Sequence, residues 1–73
     1  MPRTNAPRFS GAKLGDLRSR RKLSRQVLCS KVRPDLSIAT LKRWEDGHTA
    51  PGADDLLRLA HALGVDVDEL VAP

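Results

Sequence analysis

The chain has 73 residues and a formal net charge of +4, but its charges are divided unevenly along the sequence. Residues 1–43 contain twelve Lys and Arg against two acidic residues, a net charge of +10, whereas residues 44–73 contain one base against seven acids, a net charge of −6. A strongly cationic segment favours a polyanionic partner, and nucleic acid and an anionic membrane surface are the two candidates.

Length and composition exclude several classes of protein. A chain of 73 residues makes one small domain. Its single cysteine, Cys29, excludes an internal disulfide framework and is typical of a reducing compartment. Cys29, His48 and His61 lack the paired spacing of zinc ligands, so neither a metal nor another cofactor is expected.

Membrane insertion and single-strand binding are also disfavoured. No uncharged run exceeds seven residues, against the ~20 that a membrane span needs. No apolar stretch follows the basic start, so a signal peptide is not expected. Phe9 and Trp44 are the only aromatic residues, which argues against a module that stacks unpaired bases.

Residues 1–9 predict a flexible basic arm, and residues 10–73 predict the folded domain. The first nine residues contain two prolines and no apolar period, so nothing packs before Phe9. Two of them, Arg3 and Arg8, either reach into a DNA minor groove or belong to plain disorder, and the sequence does not decide between these interpretations.

Two short helices are expected next. Ser10 caps the first helix, which runs to about residue 21 or 22, and Ser24 caps the second. Basic residues crowd the end of the first helix, where they suit the helix dipole. Pro34 ends the second helix, because the residue before a proline avoids the helical conformation.

A third helix begins at a cap that is either Asp35 or Ser37 and ends near Asp46. Leu41 and Trp44 lie three residues apart, so both are expected in the core rather than at a binding surface. Cys29 is likewise expected to be a small core residue rather than a redox thiol.

The last two predicted helices are acidic. Residues 53–63 carry an apolar stripe and acids in the first turn, and Gly64 ends this fourth helix. Asp66 and Glu69 resemble a capping box that begins a short fifth helix. The sequence therefore predicts an all-α, compact five-helix bundle without strands.

Two stretches of the sequence resemble the Cro/lambda-repressor-like helix-turn-helix (XRE) family of transcriptional regulators. The first spans residues 23–47 and ends T-L-K-R-W-E-D-G, where the family typically reads T-I-S-R-W-E-x-G. The second spans residues 56–70 and reads L-L-R-L-A-H-A-L-G-V-D-V-D-E-L, against the family pattern L-L-x-L-A-x-A-L-G-V-x-x-x-x-L. The match extends over about residues 12–71, nearly the whole chain.

The resemblance implies a recognition helix near residues 37–46 that lies in the DNA major groove, with the second helix over the backbone. Lys42 and Arg43 would then contact either a base, by donating to guanine O6 and N7, or a phosphate, and Ile38 and Ala39 would touch thymine methyls. The full set of residues that the resemblance places at DNA is Ser24, Arg25, Ile38, Ala39, Thr40, Lys42, Arg43, His48 and Thr49.

By the same resemblance Thr40 falls among the reading positions of the third helix, and the other members of this set have backbone roles. Arg25 holds a position that touches a phosphate, Ser24 caps the second helix, and His48 and Thr49 lie in a loop that approaches phosphates. For His48, plain loop filler is the alternative. Arg18 and Glu45 occupy positions that commonly pair; an ordinary exposed pair is the alternative to a partly buried one.

The sequence departs from the family pattern at three places. The turn over residues 32–37 is about two residues longer than usual, which leaves the register of the recognition helix open. Lys22 stands where the family often has glycine. Ile38 and Ala39 make the reading positions unusually apolar, and Ile38 either faces DNA or faces the core.

These observations favour a non-enzymatic, sequence-specific, double-stranded DNA-binding regulator, in the simplest case a prokaryotic or phage repressor that acts by occupying an operator. A cytoplasmic, nucleoid-associated protein with no small-molecule ligand is expected.

The C-terminal residues 70–73 are a candidate homodimer surface, or they simply close the core. A protein-interaction module with the same fold, antitoxin-like or accessory, is the alternative function. An anionic membrane binder and a winged or MerR-type fold are weaker alternatives.

Overall fold

The computed structural model describes residues 8–72. The elements in chain order are β1 (Arg8–Phe9), α1 (Gly11–Arg20), α2 (Arg25–Val32), α3 (Ile38–Glu45), α4 (Ala53–Leu63), a 3-10 helix (Val67–Leu70) and β2 (Val71–Ala72). The two short strands pair antiparallel, with Arg8 opposite Ala72 and Phe9 opposite Val71. The two ends of the described chain therefore lie side by side.

The predicted helical class is confirmed, but the predicted count of five α-helices is wrong. Where a fifth α-helix was expected, the side chain of Asp66 makes no capping hydrogen bond. The segment closes instead with a bond from the N–H of Glu69 to the carbonyl of Asp66, at 3.0 Å, and forms one 3-10 turn. Only three residues separate this turn from the end of α4, and a strand follows it at once.

The expectation of no strands is also wrong. Arg8 and Phe9, which the sequence placed in the flexible arm, form β1 against β2. A strand of two residues has no alternating pattern to detect, and it exists only because packing brings both chain ends together. The rest of the predicted arm, including Arg3, lies outside the described residues.

The predicted serine caps are confirmed. Ser10, Ser24 and Ser37 each accept a hydrogen bond on Oγ from the backbone N–H three residues later, at 3.2, 3.1 and 3.0 Å respectively. Each bond satisfies one of the amide donors that a helix start leaves unpaired. Ser37, and not Asp35, therefore begins the third helix.

Twelve of the residues that the structure describes form the buried core, and they come from the α-helices, the turn before α3 and the 3-10 helix. They are Leu14, Leu17, Leu28, Cys29, Val32, Leu36, Leu41, Trp44, Leu59, Ala60, Leu63 and Leu70. The core positions expected for Trp44 and Cys29 are confirmed, and burial raises the pKa of the Cys29 thiol. Leu57 of α4 lies outside this core and is 59% exposed.

Helix α1 crosses the end of α3 at very short range. A Cβ atom built on Gly11 would meet the backbone carbonyl oxygen of Trp44, and it would come within 2.7 Å of that of Glu45. Backbone atoms cannot move aside as a flexible side chain can, so this contact requires glycine. The absence of a side chain at residue 11 thus sets how closely α1 approaches α3.

The turn between α1 and α2 contains the only non-glycine residue of the described chain with a positive φ. Lys22 adopts φ 55°, in the left-handed region that favours glycine. This explains physically why glycine suits this position in the family that the sequence resembles. Here lysine accepts the strained backbone and places one more positive charge after α1.

The lengthened turn between α2 and α3 has a defined structure. Leu36 is buried in the core, and its N–H bonds the carbonyl of Arg33 at 3.2 Å. The Arg33 guanidinium binds Asp55 of α4 at 2.9 Å and Asp35 of the turn at 3.0 Å. One apolar side chain and one arginine therefore hold the turn that leads into α3.

The close approach of α1 to α3 predicts opposite effects of alanine at two glycines of the same helix. We expect Gly11→Ala to lower the free energy of unfolding by about 1–3 kcal/mol, because its Cβ overpacks against backbone. Gly15→Ala should raise it by up to about 1 kcal/mol through helix propensity, since its Cβ would meet the Glu45 side chain only at an ordinary 3.6 Å. Urea titration followed by circular dichroism measures both values, and equal effects would contradict the close approach.

Acid should weaken the fold through the Arg33 ion pairs. Hydrogen bonds from Arg33 hold the pKa of Asp35 and the pKa of Asp55 below the usual range. A lowered pKa in the folded state contributes stability above the unfolded value of about 3.9. This contribution is lost as the pH falls through the lower, folded value. We therefore expect the free energy of unfolding to fall below about pH 4.

Asp55→Asn is the control variant for this pH dependence. It removes one of the two carboxyl groups with a lowered pKa, so its free energy of unfolding should depend less on pH in the acid range. Urea titrations at a series of pH values compare the two proteins. Equal slopes below about pH 4 would show that Asp55 does not carry the effect.

Candidate nucleic-acid interface

Helices α2 and α3 form a helix-turn-helix, and α3 has two distinct faces. Leu41 and Trp44 point into the core. The opposite side carries Ile38, Ala39, Lys42 and Arg43, which are exposed and which we call the reading face. At about 100° per residue, these four positions fall within about 140° of the helix circumference. Packing of one face thus presents the other to solvent.

Ile38 settles one alternative that the sequence left open. Its side chain is 47% exposed, so it lies on the reading face and does not join Leu41 in the core. Ala39 beside it is also exposed. The start of α3 therefore shows an apolar surface to solvent, followed by the two bases one turn later.

The two bases of the reading face differ in their partners. Lys42 binds Asp46 at 3.1 Å in an exposed pair four residues apart. Arg43 is exposed and makes no ion pair within residues 8–72. An exposed pair of this kind contributes only about 0.3–0.5 kcal/mol, so Lys42 can exchange Asp46 for another anion at little cost. Arg43 needs no exchange at all.

Thr40 stands at the edge of the reading face. It is half-buried, and its hydroxyl accepts a hydrogen bond from the Ser37 hydroxyl at 2.8 Å. Ser37 thus contacts both the backbone and the side chain of Thr40. This arrangement ties Thr40 to the helix start, which makes it less available than Lys42 or Arg43.

A three-residue ion cluster joins α1, α2 and α3. Arg18 binds Glu45 through Nε at 2.6 Å and Nη2 at 3.3 Å, and its Nη1 donates to the carbonyl of Leu23 at 2.8 Å. The two side chains are only 15% and 6% exposed. The partly buried Arg18–Glu45 pair is therefore confirmed, in preference to an exposed one.

Arg25 joins the same cluster. Its Nε and Nη2 both lie 3.1 Å from Glu45 Oε1, while the guanidinium stays partly exposed at the start of α2. The residue predicted to touch a phosphate is thus fixed beside the end of α3. The sequence motifs paired Glu45 with Arg18 alone and missed this second arginine.

The loop after α3 stays close to the end of that helix. The N–H groups of His48 and Thr49 both donate to the carbonyl of Arg43, at 3.0 and 3.4 Å. Both side chains are exposed. Gly47, with φ 80°, makes this reversal possible. His48 and Thr49 are therefore placed next to the last turn of α3.

The division of charge along the sequence corresponds to a division between packed elements of the fold. Helix α3 packs against α1 and α2, which together carry five Lys and Arg against one acid, whereas the acidic α4 packs against α2 and the 3-10 helix. Ser24, Arg25 and the reading face lie on α2 and α3, the two elements of the helix-turn-helix. The acids of the second half are mostly on the elements behind these two.

Arg33 was not among the predicted site residues. No short-range motif links it to Asp55, which lies 22 residues later in the sequence. The two meet because α2 packs against α4. The only sequence signal near Arg33 was the unusual length of the turn, which left the register of the recognition helix open.

Within residues 8–72 the structure contains neither a metal-binding cluster nor a membrane-spanning helix. No three His, Cys, Asp or Glu side chains come together in a group that would bind a metal ion. None of the helices in that range has the length and apolar character needed to cross a membrane.

The fold is similar to solved structures of regulatory proteins. The P22 c2 repressor protein, solved in complex with synthetic operator 9T, has a TM-score of 0.77 and 27% identity over 86% of this chain and 92% of that chain. The restriction-modification controller protein C.AhdI from Aeromonas hydrophila has a TM-score of 0.75 and 28% identity over 82% of this chain and 88% of that chain.

A third similar structure is ComR from S. thermophilus, solved in complex with DNA and its signalling peptide ComS. Its TM-score is 0.73 and its identity 35%, over 82% of this chain but only 20% of ComR. No curated protein sequence matches the chain with significance.

Sequence and structure lead to the same family. The family model described as a helix-turn-helix domain matches residues 11–72, from the first residue of α1 to the last residue of β2. The similar structures include a repressor and a controller protein that match over nearly their whole chains. The chain belongs to the helix-turn-helix domain family, within its Cro/lambda-repressor-like (XRE) group of transcriptional regulators.

Proposed function

We propose that this protein is a sequence-specific, double-stranded DNA-binding transcriptional regulator in which α3 enters the major groove. The observation that carries the proposal is the reading face, exposed on a helix whose other side is fixed in the core. An α-helix fits the major groove, where each base pair shows a distinct pattern of donors, acceptors and methyl groups. P22 c2 repressor, solved with an operator, and ComR, solved with DNA, support the proposal by their similarity.

Within this proposal the reading face has two parts. Arg43, with no ion-pair partner in the described chain, donates to guanine O6 and N7, and Lys42 joins it after release from Asp46. Ile38 and Ala39 offer no side-chain hydrogen bond and contact thymine methyl groups. The preferred site therefore combines a guanine with neighbouring thymines.

Phosphate contacts come from the surroundings of the reading face. Arg25 contacts a phosphate with the part of its guanidinium that Glu45 leaves exposed, and the free N–H groups at the start of α2, next to Ser24, add a second anion contact. His48 and Thr49 contact the backbone beyond the end of α3, and Thr40 contacts the edge of the groove. Contacts of this kind fix the register of the protein on DNA and supply affinity without sequence choice.

Repression by occupancy of an operator is the simplest regulatory outcome of such binding. The chain presents one helix-turn-helix, which reads about one half-site, so a homodimer would read a palindrome. Leu70 is fully buried in the core of its own chain, and a dimer at the C-terminal end must therefore use the half-buried β2 and its surroundings. A protein-interaction module is the outcome that remains if no DNA site is found.

Selection of bound sequences from random double-stranded DNA, followed by gel-shift titration, tests the proposal directly. A shared half-site among the selected sequences is the expected result. The affinity for the selected site should fall as salt rises, with a logarithmic slope of about 0.9 for each phosphate contacted. Selection without enrichment of any sequence, or an affinity that does not depend on salt concentration, would contradict the proposed function.

Loss of Arg43 should reduce sequence choice more than loss of an equal charge elsewhere. Arg43→Ala is expected to lower the affinity ratio between the selected site and random DNA by about 5- to 150-fold, the range for a lost base contact of about 1–3 kcal/mol. Arg58→Ala, at the only base of residues 44–73, is the matched control and should leave the ratio unchanged. Gel-shift titration on both DNAs measures the ratio. An equal loss of affinity for both DNAs would show that Arg43 contacts only a phosphate.

A further inference from the structure

The recognition helix is held by different ion pairs at its two ends. At its last residue, Glu45 binds Arg18 of α1 and Arg25 of α2. Before its first residue, the turn of residues 33–37 is connected to α4 through Arg33 and Asp55. These two attachments use separate residues and separate partner helices, so each can be altered without the other.

The Arg33 attachment uses the whole guanidinium. Its Nε and Nη2 bind the two oxygens of Asp55 at 2.9 and 3.2 Å, and its Nη1 lies 3.0 Å from Asp35 Oδ1. All three nitrogens face carboxylates, and the pKa of each of these carboxyl groups is lowered by hydrogen bonds from Arg33. Arg33 is therefore committed to protein contacts and is not free to act as a phosphate ligand.

Besides this attachment, the turn is held by the buried side chain of Leu36 and by a weak hydrogen bond from the Cys29 thiol to the carbonyl of Ser37, at 3.5 Å. Of residues 33–37, only Leu36 is buried, while Pro34, Asp35 and Ser37 are exposed. Helix α3 packs mainly on α1 and α2. A turn with one apolar anchor has more conformational freedom than a turn fixed at two points. The Arg33–Asp55 pair, with side chains 29% and 20% exposed, supplies the second point.

Ile38 and Ala39 follow this turn directly, so its position decides where they stand. We propose that Arg33, held by Asp55, is a positioning residue for sequence readout, which sets the placement of the first turn of α3 in the major groove. The inference rests on the proposed function, because it concerns how the same interface chooses a sequence. It assigns a role in DNA reading to Asp55 on α4, an acidic residue outside every predicted contact.

Two neighbouring acids of α4 give a matched test. Asp54 and Asp55 both lie in its first turn, so replacing either by Asn removes one negative charge at nearly the same place. Asp55 binds Arg33, whereas Asp54 makes no ion pair within residues 8–72. A change in overall charge or in the helix dipole affects both variants alike. A difference between them therefore reports on the Arg33 attachment.

The experiment measures the affinity of wild type, Asp54→Asn and Asp55→Asn for the selected site and for random DNA. We expect Asp55→Asn to lower the ratio of these affinities by about 5- to 20-fold, as for partial loss of readout at one base pair. Asp54→Asn should keep the wild-type ratio, and both variants should bind random DNA alike. Asp55→Glu, which retains a carboxylate, should recover part of the ratio.

Circular dichroism at the temperature of the titrations checks that every variant is folded. A wild-type ratio in folded Asp55→Asn would overturn the inference while leaving the proposed function intact. An equal loss of affinity for the selected site and for random DNA would also overturn it, since that result is expected of a residue whose role is only structural. No preferred sequence for the wild-type protein would overturn the proposed function and the inference with it.

Discussion

The carboxylate of Glu45 joins three of the four α-helices, and the geometry of the interface depends on it. It binds two arginines, one from α1 and one from α2, while it is only 6% exposed. Removal of one partner from a buried ion pair commonly costs about 3–5 kcal/mol, because the remaining charge stays desolvated. The end of α3 is therefore fixed in position as well as in register. Gly11 adds to this by letting the backbone of α1 approach the same end.

This fixed end explains how so small a chain can present a rigid surface. A domain of 73 residues buries only roughly 60% of its unfolded surface, and its core is correspondingly limited. Leu41 and Trp44 bury one side of α3 in the core, and ion pairs hold both ends of this helix. The reading face is thus supported by packing beneath it and by charge at its margins. Glu45 and Asp55, the two carboxylates that hold the ends of α3 through these ion pairs, belong to the acidic second half of the sequence.

Much of the fold follows from local sequence signals. Serine caps, a proline stop and two glycines with positive φ mark six of the eight ends of the described α-helices, namely the starts of α1, α2 and α3 and the ends of α2, α3 and α4. These features act within a few residues of one another. The signals fail at the chain ends. A four-residue 3-10 helix and two strands of two residues carry no periodicity of their own. They form because Phe9 and Leu70, near the two ends of the described chain, pack in the same core, which no local pattern records.

The sequence by itself determined the helical class, the core positions of Trp44 and Cys29, and the charge division, because periodicity, capping and composition are properties of neighbouring residues. The helix-turn-helix and the Arg18–Glu45 pair were predicted through the resemblance of the sequence to a known family. Only the tertiary structure decided that Ile38 faces solvent, that Arg25 shares Glu45, and that Arg33 binds Asp55. Each of these depends on how helices far apart in the sequence pack together, and the direction of a side chain is fixed only once its neighbours across that contact are known.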